Sequence, residues 1–208
     1  MEQVFFINPV AGKRDASAEL VPRIQAAARQ LQLPQPQIVV TQYAGQAREA
    51  ARQYAASGTP AALYACGGDG TLNELVQGAA GSANVAVGCV PCGSGNDYVR
   101  NFGAAGQASF LDFAAQLQAQ PCRVDLLQTS LGIGIDICAA GLDAQVAYGI
   151  PKFRRLPGCG GTAAYTLSIL QAMLSRFGHK LCVAIDGKEY TGTYMMAAIC
   201  NGGYYGGG

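Results

Sequence analysis

Three times in its first half this chain runs a short apolar segment into a glycine-bearing turn and then into helix-favouring residues. That recurrence constrains the fold of the 208 residues more than any other feature. The clearest case is Ala62-Leu63-Tyr64-Ala65-Cys66 followed by Gly67-Gly68-Asp69-Gly70-Thr71-Leu72-Asn73-Glu74. A second apolar run at 85–90 enters Pro91-Cys92-Gly93-Ser94-Gly95-Asn96-Asp97, and helix-like Tyr98-Val99-Arg100-Asn101-Phe102 follows. The third opens the chain, where residues 4–7 lead to Asn8-Pro9-Val10-Ala11-Gly12-Lys13-Arg14. Glycine lets a backbone approach a ligand closely, and the free N–H groups at a helix start attract negative charge. Such turns therefore suit phosphate, with Lys13 and Arg14 as two cations for its oxygens. Asp69 is the exception inside this cradle. A carboxylate is a poor direct partner for phosphate, so it implies either a Mg²⁺ ion between the two or a base for an attacking hydroxyl.

The alternation continues through residues 1–121. Strands are expected near 3–8, 37–42, 61–66 and 85–90. Between them, Leu20, Ile24, Ala27 and Leu31 share one helical face, as do Ala47, Ala50, Ala51 and Tyr54, and Phe110, Phe113, Ala114 and Leu117 mark a further helix. Strand and helix in turn imply a doubly wound α/β domain, which binds ligands outside the carboxyl ends of its strands. All three glycine turns fall at such ends.

From Cys122 the pattern changes, and 122–208 reads as a second, β-rich domain, mostly antiparallel and incomplete. Segments 123–128, 132–139, 180–185, 188–192 and 194–200 read as strands, with Asp186-Gly187 as a hairpin turn. One helix, 165–176, places Leu167, Leu170, Leu174 and Phe177 near one face, which serves either as core or as a lipid-facing wall. The basic cluster Lys152-Phe153-Arg154-Arg155 lies in a loop flanked by Gly and Pro. It is either solvated or rests transiently on an anionic membrane surface.

Taken together these motifs resemble the diacylglycerol kinase catalytic-domain family of lipid kinases, especially its soluble bacterial members. The resemblance rests on Asn8-Pro9 with Gly12-Lys13, on the turn from Gly67 to Thr71 with Asn73-Glu74, and on Gly93-Ser94-Gly95-Asn96-Asp97 with Arg100. Val124-Asp125, Gly141-Leu142-Asp143-Ala144, Asn201-Gly202 and Tyr205-Gly206-Gly207-Gly208 extend it. It implies ATP and Mg²⁺ as cofactors and a membrane lipid such as diacylglycerol as acceptor. Asp69 becomes the catalytic residue and the carboxylate that meets the metal through water. The nucleotide would lie along Asn8, Pro9, Gly12, Lys13, Gly67, Gly68, Gly70, Thr71, Glu74, Gly93, Ser94, Gly95, Asn96 and Asp97. Many relatives have Thr where Ser94 stands, and the hydroxyl is kept. The Gly-Gly-Asp-Gly turn is shared with NAD kinases and phosphofructokinases, whereas the second turn with Arg100 is similar to lipid kinases. Asp97 favours the diacylglycerol branch over sphingosine kinases, which usually carry an apolar residue there.

Composition excludes several other classes. Lys and Arg number 14 against 13 Asp and Glu, so no general field draws nucleic acid. Half the residues are hydrophobic and 13% charged, which marks a globular chain and not a disordered one. No apolar run reaches the roughly 20 residues of a membrane span. The chain reads as cytoplasmic, at most peripheral at a membrane. Its eight cysteines sit mostly alone in apolar segments, as reduced cysteines do. Cys89 and Cys92 have C-x-x-C spacing without a second pair, so packing competes with a zinc or redox role. The single histidine, His179, reads as a surface turn residue.

Two functions remain. One is an ATP- and Mg²⁺-dependent lipid kinase, with a sphingoid lipid or NAD as alternative acceptors. The other is a nucleotide-binding remnant without turnover, because in the family the chain continues past the motif in which this sequence stops and acidic residues there complete the site. On that expectation these 208 residues alone have little or no kinase activity.

Overall fold

The computed structural model describes residues 1–154, 156, 162–174 and 178–206. Its centre is a four-stranded parallel sheet in the order β2-β1-β3-β4. The strands are β1 (Glu2–Ile7), β2 (Gln37–Val40), β3 (Ala61–Gly67) and β4 (Val85–Pro91), and helices α1 (Ser17–Gln30), α2 (Gln46–Ser57) and α3 (Asp69–Ala79) alternate with them. Every pair is in register, from Val4 beside Gln37 to Gly67 beside Pro91. The expected strands and the doubly wound architecture are thus borne out, and all seven residues of β3 are buried.

Two apolar layers hold the sheet. Phe5, Ile7, Tyr64, Cys66 and Val90 pack with Leu20, Ile24 and Ala28 of α1 on one face. Val4, Phe6, Leu63 and Ala65 meet Ala47 and Ala51 of α2 and Leu72, Leu75 and Val76 of α3 on the other. Phe5 stacks on Tyr64 with ring centroids 4.3 Å apart and planes 12° from parallel, and truncating a phenylalanine buried this fully costs about 3–5 kcal/mol. The Tyr64 hydroxyl donates to the Gln116 carbonyl, and burial pushes the phenol up to about 12. Because α1 leads outward from β1 to β2 and α2 carries the chain back to β3, the winding reverses between β1 and β3. A crevice forms at such a reversal.

Three short helices follow β4: α4 (Asp97–Arg100), α5 (Gly103–Ser109) and α6 (Phe113–Gln118). The sequence joins Phe110 to the helix of Phe113 and Leu117, but Phe110 instead ends α5. The Asp112 carboxylate accepts from the N–H groups of Ala114 and Ala115 at 2.9 and 3.1 Å, and this cap starts a separate helix. The strand expected at 123–128 is reduced to β5 (Leu127–Thr129), paired antiparallel with β6 (Gly132–Gly134).

By compactness the chain forms two units, Met1–Asp136 with Asn201–Gly208, and Ile137–Cys200. The passage between them falls after Asp136, whereas the sequence changes character at Cys122. The expected strand 132–139 is accordingly interrupted at Ile135 and Asp136, both buried in the first unit. The second unit holds β7 (Ile137–Gly141), α7 (Leu142–Arg154), α8 (Thr162–Met173), β8 (His179–Ile185), β9 (Lys188–Tyr194) and β10 (Met196–Cys200). β7 pairs antiparallel with β10, and β8 with β9. The β8–β9 turn has positive φ at both Asp186 (49°) and Gly187 (79°), the two-residue hairpin its sequence implies.

Three expectations fail in this unit. Lys152 and Phe153 lie at the end of helix α7 and not in a loop; Arg155 lies outside the described residues. The buried face of α8 is Ala164, Ser168 and Ala172, while Leu170 is 51% and Leu174 90% exposed. Small residues win there because Gly149 of α7 faces Ser168 closely, and the Ser168 hydroxyl donates to the Val146 carbonyl at 2.6 Å. Arg176, Phe177 and Cys159 lie outside the described residues, as do Gly207 and Gly208. His179 is the half-buried first residue of β8, with its Nε2 3.4 Å from Gln145 Nε2.

Candidate functional site

The three glycine turns leave β1, β3 and β4, which are adjacent in the sheet, and the structure packs them together. Asn8 Nδ2 donates to the Thr71 hydroxyl at 3.0 Å, joining the first turn to α3. Gly12 lies closely against the Cys92 carbonyl, joining the first turn to that after β4. The N–H groups of Cys92 and Gly93 both donate to the Gly67 carbonyl, at 2.8 and 3.2 Å, joining the other two. At their closest approach, a Cβ on Gly93 would stand 2.5 Å from the Gly68 Cα. Only glycine permits that contact.

Asp69 opens α3 where the turn after β3 meets the turn after β4. Its Oδ1 accepts from the Tyr98 backbone N–H at 3.2 Å, and Gly95 lies against its Oδ2. Asp97 follows in the first turn of α4, its Oδ1 3.8 Å from Arg100 Nε. Elsewhere in this unit, the Asp136 carboxyl accepts from Asn101 Nδ2 at 3.3 Å, and burial, with the negative charges of Asp69 and Asp97, raises it from its ordinary value against that bond. The sequence reading missed Asp136. Its signal is the lone acid inside the apolar run 132–139.

The other expected site residues divide by what their side chains touch. Asn96 adopts a left-handed conformation (φ 57°) and closes its own turn, donating to the Gly93 carbonyl at 2.8 Å and accepting from the Gly93 N–H at 3.0 Å. Glu74 accepts from the N–H of Gly45, the residue just before α2, at 2.9 Å, so this oxygen caps a helix. Arg14 pairs with Glu19 at 3.0 Å. Asn8, Pro9, Gly67, Gly68, Thr71 and Gly93 are partly or wholly buried at the junction, while Gly12, Lys13, Gly70 and Ser94 are exposed around it.

Magnesium tests these donors. Among the described residues no three His, Cys, Asp or Glu side chains lie close enough to cage a metal. Magnesium keeps several waters and needs only one or two carboxylates beside nucleotide phosphates, and Asp69 and Asp97 fit that demand. Burial pushes the Cys89 thiol up to about 12 and raises Cys66 well above its usual value, so neither is a ready thiolate ligand.

Two pockets lie outside the junction. One, about 430 Å³, is lined by residues including Glu2, Gln37 and Thr59 at the amino ends of the strands. The other, about 330 Å³, lies among Tyr98, Phe102, Arg123, Asp136 and Asn201.

Comparison with known proteins agrees with the geometry. A diacylglycerol kinase of Bacillus subtilis (strain 168) is 28% identical over 138 residues, covering 66% of this chain and 45% of the relative. A crystal structure of a diacylglycerol kinase from Bacillus anthracis superposes with a TM-score of 0.66 at 24% identity, covering 99% of this chain and 66% of that one, and so shares its fold. The chain spans about half the length of the curated relatives it matches. The profile of the diacylglycerol kinase catalytic domain matches residues 2–129, well over half of the sequence, and the chain belongs to that family.

Proposed function

We propose that these residues form the ATP-binding part of a lipid kinase that phosphorylates a diacylglycerol-like hydroxyl. The observation that carries this reading is the junction of three glycine turns at the carboxyl ends of adjacent parallel strands, with Asp69 where the turns after β3 and β4 meet. Backbone N–H groups and Lys13 bind and orient the phosphates of ATP. Phosphoryl transfer depends mainly on such positioning and on electrostatic stabilisation. Asp69 accepts the proton of the attacking lipid hydroxyl or faces the metal through water. Asp69 and Asp97 would hold Mg²⁺ together with ATP, and the ion would supply positive charge against the transferred phosphate. Lys152 and Phe153, at the end of α7, support a transient membrane contact. No helix among the described residues is long and apolar enough to cross a membrane.

The length of the relatives favours one second reading, a nucleotide-binding chain without turnover in this form. Two measurements decide between them. Calorimetry on the 208-residue chain tests binding, and heat unchanged on adding ATP with and without Mg²⁺ removes the site as drawn. Radiolabelled ATP offered with diacylglycerol, sphingosine and NAD, to this chain and to a longer version, tests turnover and acceptor. Label in diacylglycerol from the longer version alone supports the kinase and the incompleteness of this form. Label in NAD alone overturns the lipid assignment.

A further inference from the structure

The backbone leaves the first compact unit after Asp136 and re-enters it at Asn201. Within that unit both strands of this crossing are bound to one side chain. Asn101, just past the end of α4, donates from Nδ2 to the Tyr98 carbonyl at 3.0 Å and to Asp136 Oδ1 at 3.3 Å. Its Oδ1 accepts from the Gly203 N–H at 2.6 Å. Asn201 completes the closure. Its N–H donates to the Asp136 carbonyl at 2.7 Å, and its Nδ2 donates to the carbonyls of Asp125 and Ile135, each at 2.8 Å. Gly202 between them fits so closely that a Cβ there would meet Asp136 Oδ1 and the Asn101 amide.

An amide is the group this place requires. Asp136 offers only acceptors when ionised and Gly203 offers a donor, so the side chain between them must donate on one side and accept on the other. The bond also reaches the junction of glycine turns. The carbonyl that Asn101 holds belongs to Tyr98, whose N–H donates to Asp69, and the same turn carries Asp97. The geometry points to Asn101 as a positioning residue for Asp69: by fastening α4 to Asp136 and to the returning chain at Gly203, it fixes the Tyr98 N–H that orients the Asp69 carboxylate. This inference rests on the kinase reading above, because Asp69 needs a fixed orientation only if it serves Mg²⁺ and ATP.

Exchange of donor and acceptor tests it. Asn101→Asp sets a second carboxylate against Asp136 and removes the donor to both Asp136 and Tyr98. Affinity for ATP with Mg²⁺, measured by calorimetry on the 208-residue chain, is expected to fall by about tenfold, the scale of one lost hydrogen bond to a charged group. Adding Asp136→Asn returns a donor opposite the new carboxylate, which fastens α4 to residue 136 again but leaves the Tyr98 carbonyl without its donor, and is expected to restore affinity to within about threefold of the original, roughly half of that energy. Thermal unfolding of each variant is measured alongside. A purely architectural Asn101 would move the unfolding temperature and leave the affinity of the folded protein alone. Equal affinities of Asn101→Asp and the unsubstituted chain overturn the inference, as does a double variant no tighter than Asn101→Asp. Should Asn101→Asp not fold, Asn101→Ser, which keeps one hydroxyl and adds no charge, is read by the same criterion. An unsubstituted chain that binds no ATP overturns the kinase reading and this inference together.

Discussion

Asn8 and Thr71, 63 positions apart in sequence, share a 3.0 Å hydrogen bond that fastens the loop after β1 to the first turn of α3. Thr71 is only 6% exposed, so its hydroxyl depends on this partner in place of water. The Asn8 Oδ1 meanwhile accepts from the Val10 N–H at 3.1 Å, shaping the loop that presents Lys13. One side chain thus organises two of the three turns.

Replacing Asn8 with alanine removes both bonds and leaves a buried hydroxyl unpaired. The expected cost is about 1–3 kcal/mol, which for a chain of this size lowers the unfolding temperature by about 2–4 °C per kcal/mol. ATP affinity should fall as well, because the first turn is released. Calorimetric scans and ATP titrations of Asn8→Ala and of Asn8→Ser, which keeps a smaller donor, measure both effects. An alanine variant that melts and binds like the parent contradicts this coupling.

Gly93 and Ser94 are neighbours with opposite expected behaviour. A Cβ on Gly93 would stand 2.5 Å from the Gly68 Cα and 3.0 Å from its N, and backbone atoms cannot swing aside as a side chain can. Gly93→Ala should therefore part the turns after β3 and β4, lowering stability by about 1–3 kcal/mol, as overpacking does. Ser94 is exposed, so Ser94→Ala should change stability by less than about 0.5 kcal/mol while weakening ATP binding. Urea unfolding of the two variants is the check. Equal stabilities would mean that the close approach of the glycines is not maintained in solution.

The parallel sheet was legible because β1, β3 and β4 are short apolar runs ending in turns, and period and punctuation are local properties. The packing of the turns that make up the candidate site was legible in outline for the same reason, since Gly67, Gly68, Gly93 and Asp69 are defined by their turns. Asn96 and Glu74 were less so. Each has the right chemistry for a ligand, but the structure turns their oxygens to Gly93 and Gly45 N–H groups, which no spacing reveals. Asn101 and Asp136 are 35 residues apart, and Gly203 meets Asn101 across 102. Such pairs arise only when the chain returns. Helix α7 was missed because Gly149 and Pro151 read as breakers, yet both lie within it. Leu170 and Leu174 misled because the α7–α8 contact needs small residues, and size outweighs hydrophobicity where Gly149 meets Ser168.

Asp136 gives the chain a defined pH response. Its carboxyl is raised above the ordinary value of 3.8, first by burial and then by Asp69 and Asp97, while the Asn101 hydrogen bond opposes them. The native state therefore holds this proton at pH values where the unfolded chain has lost it. The stability this contributes is fully present below the unfolded value and is lost as pH rises through the raised native one. Asp136→Asn cannot titrate. The stability of the parent relative to this variant should accordingly fall as pH rises from about 4 toward neutrality, measured by urea unfolding at a series of pH values. A difference independent of pH would show that Asp136 ionises in the fold as it does in water.

Asp69 lends itself to a substitution that separates chemistry from architecture. Its Oδ1 accepts from the Tyr98 N–H at 3.2 Å, and asparagine keeps an acceptor of the same shape at that place. Asp69→Asn should therefore leave the fold and the arrangement of α4 intact, with an unfolding temperature near that of the parent. What it removes is the charge, on which the proposed proton transfer from the lipid hydroxyl and the proposed Mg²⁺ binding both depend. In a longer protein that includes this sequence, transfer of label from ATP to diacylglycerol is expected to drop by about 10²–10⁴-fold, the usual contribution of a positioned acid or base. Asp69→Ala should lose transfer to a similar degree and also melt lower, because the Tyr98 N–H loses its acceptor. Near-normal turnover in Asp69→Asn would remove this carboxylate from the mechanism, and a sharp fall in its unfolding temperature would show that its charge also holds the three turns together.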